Sequence, residues 1–198
     1  MTNIIVIYDT EATCWGKADG TSSWWSEDWQ EPEIIQISAI KVETSNFTEI
    51  GEPFDVFIKP TINPELSPYC TALTSITDER LDNEGLSFLE ASKRFNAYCS
   101  AHTPHSYGGD HTVMNYNREE LYKLEADIVA FTGANIRELF LKLDPATKDV
   151  NSGALSAHFQ LAFKANQHYA LDDCRSINAS LQHFKNHPEL RAYFSKTP

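Results

Sequence analysis

Two acids, Asp9 and Glu11, close an apolar run made of Ile4, Ile5, Val6, Ile7 and Tyr8. A β-branched run of this kind reads as a strand buried on both faces, and strand side chains alternate, so the two carboxylates leave it close together on one face. Asp110 stands at an expected strand-to-helix junction, and Asp173 lies in the first turn of an expected C-terminal helix, five residues after His168. Carboxylates gathered at one sheet edge repel unless cations sit between them, and all-oxygen sites suit Mg²⁺ or Mn²⁺. Two such ions about 3.5–4 Å apart can hold the attacking and leaving oxygens of an in-line phosphoryl displacement. His168, whose ordinary pKa is about 6.5, is the candidate general base. Each group also has an ordinary use: acids at strand ends are commonly solvated, Asp110 would make a good N-cap, and a lone histidine often starts a helix.

These groups need a scaffold to bring them together. Residues 33–43, EIIQISAIKVE, read as a second strand and residues 54–59, FDVFIK, as a third, with Gly51-Glu52-Pro53 breaking the chain between them. The proline-rich PTINPELSPYC reads as an extended connector. Phe88, Ala91, Phe95 and Tyr98 share one face of an expected helix over residues 87–99, followed by a short strand at 105–109. Asn117 and Glu120 have the spacing of a capping box that restarts a helix, and residues 128–131 read as the last strand. Residues 135–143 and 155–163 are amphipathic, and DPATKDVNSG between them is turn-rich. In the C-terminal helix, Cys174, Ile177, Leu181 and Phe184 form the apolar stripe. Asp173 falls on its buried side and needs a cation or donors, whereas Asp172 aligns with Ser176 and His183 on the wet side.

Composition narrows the classes. A chain of 198 residues with 41% hydrophobic and 22% charged residues suits one globular domain over residues 1–198. The first apolar run is short, lacks a basic leader and is cut off by Asp9, so neither a signal peptide nor a membrane span is expected, and the default location is the cytoplasm. Four scattered cysteines, Cys14, Cys70, Cys99 and Cys174, form no CxxC pair and read as reduced and structural. A net charge of −12 argues against a broad basic face for duplex nucleic acid, but not against a small phosphate site neutralised by metal. Residues 16–32 form a loop rich in Trp: Trp24, Trp25 and Trp29 lie in it and Trp15 at its edge. Such aromatics could stack on bases, yet Glu27, Asp28, Glu31 and Glu33 interleave with them, which suits packing on the domain or on a partner equally well.

With these motifs in place, the sequence resembles the DEDDh branch of the DnaQ-like 3′-to-5′ exonucleases, in the RNase H-like superfamily. Asp9-Thr10-Glu11-Ala12-Thr13-Cys14-Trp15 is similar to the family's first motif as found in members related to the eukaryotic histone-mRNA and small-RNA 3′ exonucleases. Glu33-Ile34-Ile35-Gln36-Ile37 is similar to the strand that follows, Leu73-Thr74-Ser75-Ile76-Thr77 to the wedge segment, and His168 with Asp173 to the third motif, His-x-x-x-x-Asp. Asp110 falls where the second motif belongs, although SYGGDHTVM departs from the commoner patterns.

The resemblance implies an α/β, RNase H-like fold with a central five-stranded mixed sheet flanked by helices. It implies that Asp9, Glu11, Asp110 and Asp173 bind two Mg²⁺ or Mn²⁺ and that His168 deprotonates the attacking water, releasing a nucleoside 5′-monophosphate. Ala12 and Thr13 would contact the terminal sugar through their backbone, Leu73 would wedge against the terminal base, and Trp15 is a further substrate-binding candidate. His111 is assigned to capping or the surface, and His158 has no role. The substrate would be a single-stranded 3′ end, RNA before DNA, a preference carried by the resemblance alone. The competing readings are a DNA proofreading or repair exonuclease and a non-catalytic nucleic-acid-binding scaffold of the same fold.

Overall fold

The computed structural model describes residues 3–17, 25–100 and 102–195. Five strands make one sheet in the order β3-β2-β1-β4-β5. They are β1 (Ile4–Ala12), β2 (Ile34–Glu43), β3 (Thr48–Phe57), β4 (Pro104–Ser106) and β5 (Ala134–Asn135). β1 runs antiparallel to β2 and parallel to β4, β2 is antiparallel to β3, and β4 is parallel to β5. The helices are α1 (Pro68–Thr74), α2 (Asp78–Glu84), α3 (Phe88–Cys99), α4 (Asp110–Tyr116), α5 (Arg137–Leu143), α6 (Leu155–His158), α7 (Ala170–His183) and α8 (Pro188–Ser195). This mixed, helix-flanked sheet bears out the expected fold class. Among the described residues, no helix is long and apolar enough to cross a membrane.

The central place of β1 follows from its side chains. Ile5 and Ile7 join Cys174, Ile177 and Leu181 of α7 in one core, while Val6 and Tyr8 join Phe88 and Phe95 of α3 and Met114 of α4 in the other. Period-two alternation therefore sorts odd positions to α7 and even positions to α3 and α4. Asp9 and Glu11 continue the odd series, which aims them at the helix that carries Asp173. The four cysteines are buried and free.

Several local expectations are corrected. β3 begins at Thr48 and runs through Gly51-Glu52-Pro53. The ladder to β2 shifts register between Ala39 and Lys41 while Gly51 takes φ +69°, so a bulge absorbs the break on an edge strand where proline is tolerated. The connector PTINPELSPYC ends in α1, because Pro68 sits at the start of a helix capped by Ser67, whose hydroxyl accepts the Cys70 N–H.

Asn117 is no capping box. It lies in a π-helical turn (Asn117–Leu121), and its buried amide accepts the Ile34 N–H at 2.9 Å and donates to the Pro32 carbonyl at 2.7 Å. Ile128 and Phe131 are apolar because they pack beneath α3, and the last strand comes later, at β5. The helix expected over 155–163 stops at His158, and Ser176, expected on the wet side of α7, is buried and bonds Ser156 N–H and Gly153 C=O.

Candidate active site

Three carboxylates meet where β1 passes α7. Asp9, Glu11 and Asp173 each present an oxygen within 4.8 Å of the other two, and all three residues are buried. Asp9 and Glu11 come from alternate positions of β1, opposite Ser38 and Gln36 of β2. Asp173 comes from the first turn of α7 and is 2% exposed.

Like charges this close, out of water, raise one another's pKa. Asp9 is held well above the usual carboxylate range, first by burial and then by Asp110, Asp173 and Glu11. Glu11 is raised in the same way, by burial and then by Asp173 and Asp110. Asp173 is pushed up to about 7, burial outweighing the opposing pull of the Ser152 hydroxyl and the His168 backbone. Asp173 Oδ2 takes the Ser152 hydroxyl at 3.0 Å, whereas Oδ1 is buried without a hydrogen-bond partner. A buried three-carboxylate group in which one Asp173 oxygen has no hydrogen-bond partner fits a hard divalent cation.

Asp110 enters from the other side. It opens α4 as its first residue, after Gly109, and is not the N-cap. Its Oδ1 accepts both the backbone N–H of Thr10 at 3.2 Å and the Thr10 hydroxyl at 2.9 Å. The pin to Thr10 fastens Asp110 to the residue between Asp9 and Glu11. Burial nevertheless raises its pKa.

A cleft of about 330 Å³ is lined by Asp9, Glu11, Asp110, Asp173 and His168, with Leu73 on its wall. His168 is half-buried at φ +64°, a left-handed conformation costly for a residue with a β-carbon, and burial lowers its pKa below 6.5.

The other sequence candidates separate. Ala12 lines the cleft. Both backbone polar groups of Thr13 are engaged, its N–H by the Glu33 carbonyl at 2.9 Å and its carbonyl by the Trp25 indole N–H at 2.7 Å. Trp15 packs edge-on against Trp29, with ring centroids 5.2 Å apart, and is not part of the cleft lining. Trp25 takes that place, and Trp24 lies outside the described residues. Ser152 and Gly153, which support Asp173, escaped sequence reasoning because nothing in a turn-rich segment points to a helix twenty residues on. His111 stands beside Asp110 and is not in the cleft lining, and His158 pairs with Asp144 at 3.2 Å.

A family model described as RNase_T, exonuclease, matches residues 6–180. The chain belongs to this exonuclease family. Among curated relatives of these exonucleases, it is 34% identical over 94 residues to the 3′-5′ exonuclease Snipper of Drosophila melanogaster, covering 48% of this chain and 31% of that protein. It is 33% identical over 94 residues to ERI1 exoribonuclease 2 of Xenopus laevis, covering 48% of this chain and 12% of that protein. The matched stretch thus spans under a third of either relative's own length. The nuclease domain of 3′hExo, a DEDDh family member solved bound to rAMP, superposes with a TM-score of 0.77 at 22% identity, covering 96% of each chain. That likeness carries the RNase H-like fold over nearly the whole molecule. Membership of the family also implies dependence on a divalent metal, with which the acidic group is compatible.

Proposed function

We propose that residues 1–198 act as one domain, a 3′-to-5′ exonuclease that removes nucleoside 5′-monophosphates from single-stranded ends, RNA in preference to DNA. The observation that carries this reading is the meeting of Asp9, Glu11 and Asp173 within 4.8 Å, on a cleft shared with Asp110 and His168. Asp9, Glu11, Asp110 and Asp173 would hold two Mg²⁺ or Mn²⁺ ions, which supply Lewis acidity and neutralise charge developing on the scissile phosphate.

The chain's own groups do the rest. The lowered pKa of His168 keeps its imidazole neutral at pH 7, with a lone pair ready to take the proton of the attacking water. Water attacks the terminal phosphorus in line, the P–O3′ bond breaks, and the released nucleotide keeps the phosphate on its 5′ oxygen. Leu73 and Trp25 offer the terminal base apolar surface, Leu73 as the wedge, and of the two sugar-contact candidates Ala12 lines the cleft whereas the Thr13 backbone is already engaged. RNA preference is supported by the relatives: the Xenopus protein is named an exoribonuclease, and the 3′hExo domain was solved with rAMP.

Digestion of matched single-stranded RNA and DNA oligonucleotides, labelled at either end, with and without EDTA, tests the proposal. The expected result is a ladder that shortens from the 3′ end, faster on RNA and abolished by EDTA. Internal cleavage or EDTA-resistant turnover would overturn it, and faster digestion of DNA would restore the proofreading or repair reading.

A further inference from the structure

Away from the acidic cluster, one carboxylate on the edge strand gathers donors from three residues. Asp55 Oδ1 accepts the Gln36 side-chain amide at 2.8 Å and the Ser38 hydroxyl at 2.7 Å. Its Oδ2 accepts the Tyr169 hydroxyl at 3.1 Å. The far end of Gln36, Oε1, accepts the backbone N–H of Ala170 at 3.1 Å. The Gln36 amide has only one workable orientation here, because the backbone N–H of Ala170 can only donate and so must face Oε1. Gln36 and Ser38 are fully buried, which shields the donor side of their two bonds to Asp55 from water.

Tyr169 and Ala170 are the two residues that follow His168, and Asp55 holds both, the first directly and the second through Gln36. Tyr169 is braced on its ring as well, by Phe57 with centroids 6.5 Å apart and by the Arg80 guanidinium 5.9 Å from its ring centroid. On the other side of the turn, the Asp173 carboxylate is held by the Ser152 hydroxyl at 3.0 Å. A left-handed backbone at a histidine, φ +64° here, is strained and persists only where its surroundings over-determine it. The bonds from β2 and β3 supply that constraint.

We infer that Asp55 is a positioning residue for His168: through Tyr169 and Gln36 it locks the strained turn that points the imidazole into the cleft. The inference rests on His168 being the base. Its test is a pair of double-mutant cycles, Asp55→Ala and Tyr169→Phe, each made alone and in a His168→Ala background, with kcat, KM on a labelled RNA oligonucleotide, and melting temperature measured for all variants.

Alone, Asp55→Ala should lower kcat by about ten- to a hundredfold with KM unchanged, the scale of a misplaced catalytic group. Tyr169→Phe, which deletes one hydroxyl and keeps the ring, should give a smaller loss of the same kind. Neither should cost anything further once His168 is alanine. A merely structural role would lower the melting temperature yet leave kcat per folded molecule intact, and that outcome overturns the inference. So does a loss that adds in full to that of His168→Ala. Should Asp55→Ala not fold, Tyr169→Phe carries the same test. If His168→Ala alone stays fully active, the base reading itself falls, which its single-variant rate reveals before any cycle is closed.

Discussion

Gly153 lies directly against Asp173: a β-carbon at Gly153 would stand 2.3 Å from Asp173 Oδ1 and 3.0 Å from its carboxyl carbon. The absence of a side chain there lets α7 bring its acid up to β1. Gly153→Ala should therefore displace the Asp173 carboxylate and weaken Mn²⁺ binding by about ten- to a hundredfold, the usual cost of disturbing a ligand's support. Calorimetric titration of the folded variant with Mn²⁺ checks it, and unchanged affinity would contradict the proposed ligand.

Burial and the nearby carboxylates Asp110, Asp173 and Glu11 make a charge at Asp9 costly, and Asp9→Asn removes that charge. Two opposite effects should follow. Metal-dependent release of mononucleotides should disappear, while the metal-free protein should melt at a higher temperature than the wild type. Loss of activity together with a lower melting temperature would instead mark Asp9 as a structural residue.

Stability without metal should depend on pH in an unusual direction. Asp173 in the folded protein keeps its proton up to about pH 7, against 3.8 for the free side chain. Between those values the folded state binds more protons than the unfolded state, so stability is greatest below about pH 4 for this group and falls as pH rises to 7. Asp9 and Glu11, also raised, add to the same trend. Melting temperatures in EDTA across that range should fall with pH, and saturating Mn²⁺ should remove the trend at its upper end.

His168→Ala should cost about 10²–10⁴-fold in kcat, the scale of a lost general base, and leave Mn²⁺ binding intact. Because burial lowers the pKa of His168, the acid limb of the wild-type rate profile should lie below pH 6.5. Loss of Mn²⁺ binding in the variant would make His168 a support for the cluster and not the base.

Trp25 and Trp15 should differ. Trp25 lines the cleft, so Trp25→Ala should raise KM by an amount equivalent to about 1–3 kcal/mol of lost stacking. Trp15, packed on Trp29 away from the lining, should leave KM unchanged when replaced by alanine. Steady-state kinetics on one oligonucleotide separates the two.

Residue types and local spacing determined a good deal by themselves. The run from Ile4 to Tyr8 marked the central strand, period-two alternation put Asp9 and Glu11 on one face, and the stripe of α7 turned Asp173 inward. Those features are periodic, and periodicity is written locally. Only the tertiary structure decided that Asp110 is pinned to Thr10 one hundred positions away, that Gly153 makes room for Asp173, and that Trp25 and not Trp15 reaches the cleft. The same holds for Asn117, which reads as a helix cap but serves the buried backbone of residues 32 and 34. A side chain's partner across the fold depends on where chain segments cross, and no local pattern of residue types encodes that crossing.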